Sequence, residues 1–306
     1  MKILCLLLIF FLPGIASAQV KDSVEWMNAH PVTLSEVVIN NKLNVPVFIE
    51  RVKNDTSFYK AFRNLRVLGF SAINDIRMND SDGELRAWLH SKTKQVRTGN
   101  CRRMQTLEEE TSGDIYDESR AFNYYTAQLY ASLFFTRDSV CGEDNIVLGR
   151  EFSTSGKSGL EKNKEQLKIL FFNPGKRING LPFMSSKTAI FEEGVVEHYD
   201  MSIDMELYNN TNCYVLKQTV KPADRGSVVI DEMTTWFDDK TFEVLGRNYS
   251  LSYDAGIYDF KVNMEVRMRR FKEYIVPELI RYNGNWKVIS KKRERGVFTA
   301  TLFDFN

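Results

Sequence analysis

The residues that most often carry out chemistry in enzymes are sparse in this sequence. Beyond the N-terminal apolar segment the chain has three histidines, His30, His90 and His198, and none of them belongs to an H-E-x-x-H sequence. The chain also contains no C-x-x-C pair and no G-x-S-x-G nucleophile elbow. These spacings hold a catalytic zinc ion, form a redox pair or activate a serine. We therefore expect no enzyme activity and no cofactor.

Two pairs of aspartates have a spacing that an acid and base pair could use. Asp200 and Asp204 lie on the polar side of an alternating pattern, and Asp238 and Asp239 lie in a turn sequence. Strand faces and turns of this kind are solvated. We interpret both pairs as solvated acids.

Two segments resemble ligand-binding loops but do not meet their requirements. Ser155-Gly-Lys-Ser158 ends like a phosphate-binding loop, which also needs glycine where Glu151 stands. Residues 79–83, N-D-S-D-G, resemble part of a calcium loop, which would need acids in place of Met78 and Leu89. The first segment therefore predicts an ordinary loop and the second a hairpin turn.

Methionine has the most suggestive distribution of any residue type. Six of the ten methionines fall between residues 184 and 268, and several lie on the apolar side of a predicted strand. Because methionine is flexible and polarisable, a surface rich in it accepts apolar ligands of varied shape. An ordinary core packed against helices is the alternative interpretation. The candidate lining of an apolar cavity is Tyr125, Leu129, Met201, Met205, Met264 and Met268.

The strand that positions two of these methionines is the clearest element in the sequence. In residues 257–270, IYDFKVNMEVRMRR, six apolar residues alternate strictly with six polar or charged residues. This pattern predicts a strand with Met264 and Met268 on a covered face and Asn263 on a solvated face. Burial on one face only is typical of antiparallel sheets.

Most of the remaining pattern predicts further strands joined by turns. In the first half of the chain we predict strands at 32–39, 67–78, 84–97 and 101–110. In the second half we predict strands near 199–207, 213–220, 227–237, 242–253, 257–270, 275–282, 286–293 and 297–305. Asn283-Gly284 is a type I′ turn sequence, and we expect it to separate two of these strands.

The helices predicted from the sequence precede the second group of strands. Residues 46–66 predict one broken helix or two consecutive helices, with Pro46 near the start and Asp55 as a cap. From residue 121 to 135, eleven of fifteen residues are Ala, Leu, Phe or Tyr, so 119–135 predicts a helix that is apolar on every side. The concave face of a curved sheet would cover such a helix. A further helix is expected at 160–172.

The N-terminal residues predict that the protein is exported. Lys2, an apolar run from Ile3 to Leu12 and Ala16-Ser17-Ala18 together have the form of a cleaved signal peptide. Removing residues 1–18 leaves 288 of the 306 residues, with 40 basic and 40 acidic side chains. This balance argues against a nucleic-acid-binding protein. We also expect no transmembrane segment in the mature chain, because no later stretch is apolar for long enough.

Charge is distributed unevenly along the mature chain. Between Lys261 and Arg295 there are eleven basic residues and four acidic ones, whereas Glu108 to Glu118 is acidic. A basic ribbon attracts phosphate head groups or an acidic partner. A solvated sheet face is the alternative interpretation, which we favour.

The mature chain retains Cys101, Cys141 and Cys213. In an exported protein we expect one disulfide and one remaining thiol. All three pairings are open on spacing alone. The turn-like surroundings of Cys101 and Cys141 favour that pair.

One stretch of the second half is similar to a known family. Residues 213–250 read CYVLKQTVKPADRGSVVIDEMTTWFDDKTFEVLGRNYS and resemble the outer-membrane lipoprotein carrier (LolA/LolB-like) superfamily. The similarity rests on Tyr214-Val-Leu216, Lys221-Pro222, the segment from Trp236 to Asp238 and Asp238-Asp-Lys-Thr241. The resemblance implies a strongly curved antiparallel sheet around helices, with a hydrophobic cavity for acyl chains. It covers under a sixth of the chain, which is longer than a typical carrier.

Together these patterns and the resemblance predict an α+β protein with a single strongly curved antiparallel β-sheet, a half-barrel meander wrapped around helices. We expect a signal peptide at 1–18, an N-terminal extension at 19–44 and one LolA-like domain at 45–306. The expected function is non-catalytic binding of an acyl chain, lipid or other hydrophobic ligand, as a carrier or sensor. The expected location is the periplasm, or the periplasmic face of the outer membrane, of a Gram-negative bacterium. The alternative is an envelope protein-interaction module with a filled core and an outer-membrane or envelope protein as its partner.

Overall fold

The computed structural model describes residues 34–37, 43–136, 138–147, 170–178, 184, 187–254, 256, 258–288 and 292–306. Three predictions lie wholly or mostly outside these residues. They are the signal peptide at 1–18, the loop that contains Ser155-Gly-Lys-Ser158 and the helix at 160–172, of which only its last three residues are described. Of the predicted extension at 19–44, only residues 34–37, 43 and 44 are described.

Two consecutive helices occupy the segment where one broken helix or two were predicted. These are α1 (Val45–Asn54) and α2 (Ser57–Asn64). The side-chain oxygen of Asn44 accepts a hydrogen bond from the N–H of Val47 at 3.2 Å, which caps α1. Asp55 accepts one from the N–H of Ser57 at 3.1 Å, at the start of α2. No helix in the described ranges is long and apolar enough to cross a membrane.

The third helix, α3 (Tyr125–Phe134), is shorter than the predicted helix at 119–135. The carboxylate of Asp117 accepts hydrogen bonds from the N–H groups of Ser119, at 2.8 Å, and Ala121, at 2.9 Å. These bonds hold the preceding residues in a turn, so the helix begins later. Its environment is also one-sided, because Leu129 is buried while Ser132 is exposed.

The strands form one open sheet in the order β1-β6-β7-β8-β9-β10-β11-β12-β2-β3-β4-β5. Neighbouring strands are antiparallel except for β1, which lies parallel to β6. Their bounds are β1 Leu34–Val37, β2 Phe70–Asn79, β3 Leu85–Thr98, β4 Cys101–Ser112, β5 Ser139–Cys141, β6 Tyr199–Tyr208, β7 Thr211–Val220, β8 Ile230–Asp238, β9 Val244–Asp254, β10 Tyr258–Phe271, β11 Tyr274–Val288 and β12 Glu294–Phe303.

The helices pack on one face of this sheet, which we call the inner face. Phe48 of α1 contacts Phe237 with 5.6 Å between ring centroids, and Tyr130 of α3 contacts Phe298 at 4.8 Å. One cross-strand row of buried residues runs along the inner face through nine strands. It comprises Met201, Gln218, Met233, Tyr249, Met264, Tyr282, Phe298, Ile76 and Leu89.

The alternation predicted for residues 257–270 is confirmed by the burial of β10. Its inner residues from Phe260 to Met268 are at most 7% exposed, and Met264 is the most exposed of them. Lys261 and Asn263, between these buried positions, are exposed. The pattern therefore identified both the strand and its two faces.

The turn predicted at Asn283-Gly284 is wrong. Strand β11 continues through both residues, with Asn283 opposite Asn263 on β10. Gly284 is needed there for space rather than for a turn, because a Cβ at this position would collide with the side chain of Tyr282. The ring of Tyr282 lies over the glycine and stacks on Phe298 at 4.8 Å. A strand-centre glycine covered by an aromatic ring thus has the same sequence signature as a hairpin turn.

Candidate functional site

A cleft of about 350 Å³ opens between α2, α3 and the inner face of the sheet at β12, β2 and β3. We call it the arginine cleft. Its main apolar residues are Phe62, Phe70, Leu133, Phe134, Phe172 and Leu302. Its main polar residues are Arg63, Arg66, Asn74, Gln95, Arg102 and Glu143. The volume lies within the range of about 300–1,000 Å³ that is usual for small-molecule sites.

Aromatic side chains from three segments build the apolar part of the cleft. Phe62 of α2 lies 4.4 Å from Phe172 between ring centroids. Phe134, at the end of α3, meets Phe172 edge-on at 5.9 Å. Phe58 and Phe62 are four residues apart and therefore lie on one side of α2. Phe62 and the adjacent Arg63 both line the cleft.

Arg102 is held in place on the polar side of the cleft. Its Nε donates to Glu143 at 2.6 Å, and its Nη1 donates to the side-chain oxygen of Gln95 at 3.0 Å. The amide nitrogen of Gln95 donates in turn to the backbone carbonyls of Leu65, at 2.6 Å, and Leu68, at 2.7 Å. This network fixes the guanidinium group against the inner face of the sheet.

The polar side of the cleft has a surplus of positive charge. Nε of Arg66 is 3.6 Å from the same Glu143 carboxylate that binds Arg102. Burial lowers the pKa of Arg66, and the nearby charge of Arg63 lowers it further. Because arginine stays protonated in proteins, Arg66 keeps its positive charge in this unfavourable environment. Three arginines face one glutamate among the lining residues, and Asp144 pairs with Arg63 at 2.9 Å on the exposed rim.

A disulfide joins the two segments that carry Arg102 and Glu143. It links Cys101 and Cys141 across β4 and β5, and each cysteine is at most two residues from one of the charged partners. The bond therefore ties the polar wall of the cleft together. Cys213 is a free, buried thiol, and burial raises its pKa to about 11, which disfavours the reactive thiolate at neutral pH.

The residues predicted to line a cavity do not lie together in this cleft. Leu129 and Met264 meet, with Tyr130 and Tyr282, around a void of about 20 Å³ on the other side of α3. A void of this size holds about one water molecule and no acyl chain. The void and the arginine cleft share Leu133 and Phe134 as lining residues.

The other predicted residues lie elsewhere. Tyr125 is the first residue of α3, where its N–H donates to Glu294 at 3.0 Å. Met201 and Met268 are buried on the inner face of β6 and β10, and Met205 is 38% exposed near the end of β6. Most of the methionines in the predicted lining thus lie on the inner face of the sheet, outside the arginine cleft.

The sequence offered little to identify the arginine cleft. Arg63, Arg66, Arg102 and Glu143 come from three separate segments and show no common spacing. The one usable signal is in β3, where Ser91, Thr93 and Gln95 follow Leu89 at alternate, inward positions. Because buried polar groups are nearly always hydrogen-bonded, polar residues on an otherwise apolar face indicate hydrogen-bonding partners nearby.

Two further features of the sequence have a structural outcome. Arg281 and Arg267, from the basic ribbon, both lie within 4.0 Å of Glu265, so part of its charge is neutralised on the sheet. Among the residues that the structure describes, no group of three or more His, Cys, Asp or Glu residues could hold a metal ion.

No protein-family model matches this chain, and no curated protein does. Among solved structures, the chain is similar to a DUF1329 family protein from Desulfovibrio piger ATCC 29098, with 11% sequence identity. The match covers 81% of this chain and 92% of that one, with a TM-score of 0.23. Because a TM-score this low does not establish a common fold, function has to be argued from the site itself.

Proposed function

We propose that this protein is a non-catalytic binder of an anionic amphiphile, such as a fatty acid or an acidic lipid. The acyl chain lies against the aromatic part of the arginine cleft, and the anionic head group lies between Arg66 and Arg102. The observation that carries the proposal is the surplus of guanidinium groups beside an apolar surface that includes four phenylalanines.

The two parts of the cleft supply the two kinds of affinity that an amphiphile needs. Each methylene group that leaves water contributes about 0.8 kcal/mol. A carboxylate or phosphate forms charge-assisted, often bidentate, hydrogen bonds with guanidinium groups. Arg66 and Arg102 share the carboxylate of Glu143, so a bound anion would add a partner to both guanidinium groups.

We further propose that the protein acts in the cell envelope of a Gram-negative bacterium, as a carrier or sensor. The form of residues 1–18, the Cys101–Cys141 disulfide and the LolA/LolB-like resemblance of residues 213–250 support this. In this proposal the sheet curves strongly around α2 and α3, and the arginine cleft is the open end of its concave face.

Thermal melting of delipidated protein tests the proposal. The probes are dodecanoate, dodecyltrimethylammonium and dodecyl maltoside, which share a twelve-carbon chain, each below its micelle concentration. Dodecanoate is expected to stabilise the fold most, by about 2.7 kcal/mol at one hundred times its Kd. Equal shifts with all three probes, or no shift with dodecanoate, would contradict the head-group assignment.

A pair of arginine variants makes the test specific to the cleft. Arg66→Gln removes one cationic group from the cleft and is expected to reduce the dodecanoate shift. Arg103→Gln changes an exposed neighbour of Arg102 outside the cleft lining and should leave the shift intact. Lipid extraction and mass spectrometry of the purified protein then identify the natural ligand.

One observation favours the second candidate, an envelope protein-interaction module with a filled core. The space beside Leu129 and Met264 is only about 20 Å³, so the centre of the inner face is packed. If delipidated protein shows no shift with any of the amphiphiles, this second candidate replaces the first.

A further inference from the structure

The outer face of the sheet, opposite the helices, carries long charged side chains over much of its area. Lys261 and Arg269 on β10 are exposed examples. Between β8 and β12 the pattern changes to short polar side chains, and a trough there encloses about 470 Å³. This outer trough lies on the opposite side of the sheet from the arginine cleft.

Two adjacent cross-strand rows form the floor of the outer trough. One row is Glu232, Ser250, Asn263, Asn283 and Val297, one residue from each of five strands. The other row is Thr234, Asn248, Glu265, Arg281 and Thr299. With strands spaced about 4.8 Å apart, the floor is roughly 19 Å long.

Six neutral side chains in these rows are available to a ligand. They are Thr234, Asn248, Ser250, Asn263, Asn283 and Thr299, and their side chains form no hydrogen bonds to other groups in the described part of the protein. Side-chain amides and hydroxyls both donate and accept hydrogen bonds. The floor therefore offers donors and acceptors together along its whole length.

The asparagines are unusual at these positions. Asparagine is depleted in strands, yet Asn248, Asn263 and Asn283 lie in the interior of β9, β10 and β11. Asn263 and Asn283 are directly opposite each other. If this face were only solvated, threonine would serve as well and is better tolerated in strands. Lysine and arginine, which occupy the rest of this surface, would also serve as well. Folding and solubility therefore do not account for three neighbouring asparagines.

The charges of the trough restrict the class of ligand. Among the lining residues, Glu265 pairs with Arg281 at 2.9 Å and Glu232 is the remaining charge. Arg267, outside the lining, also lies 3.6 Å from Glu265. Nucleic acids and phosphate groups are disfavoured by the charge of Glu232, and acyl chains by the polar floor. An elongated, uncharged molecule with many hydroxyl groups fits both the hydrogen-bonding groups and the length.

We propose that the outer trough binds a linear, neutral oligosaccharide. Its hydroxyl groups exchange hydrogen bonds with the asparagine amides and with the Ser and Thr hydroxyls along the two rows. The ion pair in the middle of the floor provides further donors and acceptors. This site is independent of the amphiphile proposed for the arginine cleft.

Titration calorimetry with the full chain tests the proposal. The probes are linear hexasaccharides: β-1,4-glucan, β-1,3-glucan, α-1,4-glucan, β-1,4-mannan and β-1,4-xylan, with hexagalacturonate as an acidic counterpart. At least one neutral hexasaccharide is expected to bind with a Kd of about 1 mM or lower. Hexagalacturonate is expected to bind more weakly than the best neutral probe.

Variants on the trough floor separate a site from non-specific binding. Asn263→Lys fills the middle of the trough and is expected to weaken binding by about tenfold or more. Asn283→Thr replaces the amide by a better strand residue, so binding should fall while the melting temperature is kept or raised. Arg269→Asn, on the same strand and face but outside the trough, should leave binding unchanged.

Two results would overturn the proposal. One is that none of the neutral hexasaccharides binds to the unaltered protein. The other is that Asn263→Lys and Asn283→Thr, both folded by thermal melting, bind the best probe as tightly as the Arg269→Asn control.

Discussion

Two fully buried glutamines lie on the inner face of the same sheet in opposite situations. Gln95 on β3 is 1% exposed, and its amide donates to two backbone carbonyls and accepts from Arg102. Gln218 on β7 is 0% exposed, and neither its oxygen nor its nitrogen has a hydrogen-bond partner within the described residues. A buried amide without a partner lowers the free energy of unfolding. The two halves of the sheet therefore differ in whether they satisfy a buried polar side chain.

The neighbours of each glutamine explain the difference. Gln95 belongs to a polar patch in which Asn74 lies 3.4 Å from the hydroxyl of Ser91 and 3.2 Å from that of Thr93. Gln218 lies between Met201 and Met233 in the cross-strand row. We call these regions the polar half and the methionine half of the inner face. The arginine cleft opens at the polar half, whereas Met201, Gln218 and Met233 of the methionine half are buried in closed core. That methionines line a ligand cavity stays a prediction.

The largest expected effect comes from placing a charge in the closed region. Met264→Asp buries a carboxylate beside Leu129 and Tyr282, and the described residues around that void include no cation. We expect a loss of about 3–5 kcal/mol in the free energy of unfolding, the typical cost of an uncompensated buried charge. Urea denaturation at pH 7 measures it.

The control for this variant is the next residue along β10. Asn263 is exposed on the opposite face, so Asn263→Asp should change stability by no more than about 0.5 kcal/mol. Similar midpoints for the two variants would show that the faces of β10 are assigned incorrectly.

The next largest effect is expected in the polar half. Gln95→Met keeps the side-chain volume but removes the donor to the carbonyls of Leu65 and Leu68 and the acceptor for Arg102. Leaving the buried carbonyl of Leu68 unsatisfied costs about 1–3 kcal/mol and the two part-buried partners add less, so we expect a loss of about 2–3 kcal/mol. The dodecanoate shift should fall as well, because Arg102 is no longer oriented. Stability equal to that of the unaltered protein would mean that water replaces the amide.

The two sides of α3 provide a third test. Leu129→Trp inserts a large ring beside a void of about 20 Å³, and overpacking of this kind costs about 1–3 kcal/mol. Ser132→Leu, on the side of the same helix that lines the arginine cleft, is expected to stay within about 0.5 kcal/mol and to weaken dodecanoate binding. Tolerance of Leu129→Trp would reveal a larger cavity beside Met264 than the structure shows.

Much of this fold is predictable from the sequence because local periodicity determines it. The alternation in residues 257–270 identified the strand and its buried face, and the signals around Pro46 and Asp55 identified α1 and α2. The error at Asn283-Gly284 arose where packing against a neighbouring side chain, rather than local periodicity, decided the outcome. Tyr282 occupies the space above Gly284, so a strand continues through a sequence typical of a turn.

The candidate site was less predictable for the same reason. The carboxylate of Glu294 receives the N–H groups at the start of α3 from a position 168 residues away. Likewise, the pairing of Arg102 with Glu143 depends on a register between β4 and β5 that no local pattern indicates. Only the inward polar residues of β3 carried a local signal, and they point to the polar half.

The smallest expected effect has the opposite sign and tests whether the methionine half is closed. Gln218→Met replaces an amide that has no hydrogen-bond partner among the described residues by an apolar side chain of similar volume, between two methionines. Replacing an unsatisfied buried polar group by an apolar one is neutral or stabilising, and here we expect a gain of about 1 kcal/mol. Denaturation midpoints of this variant and of Gln95→Met, measured together, should therefore move in opposite directions. If Gln218→Met loses stability instead, a polar ligand or buried water must bind the amide, and the methionine half then contains a second open site.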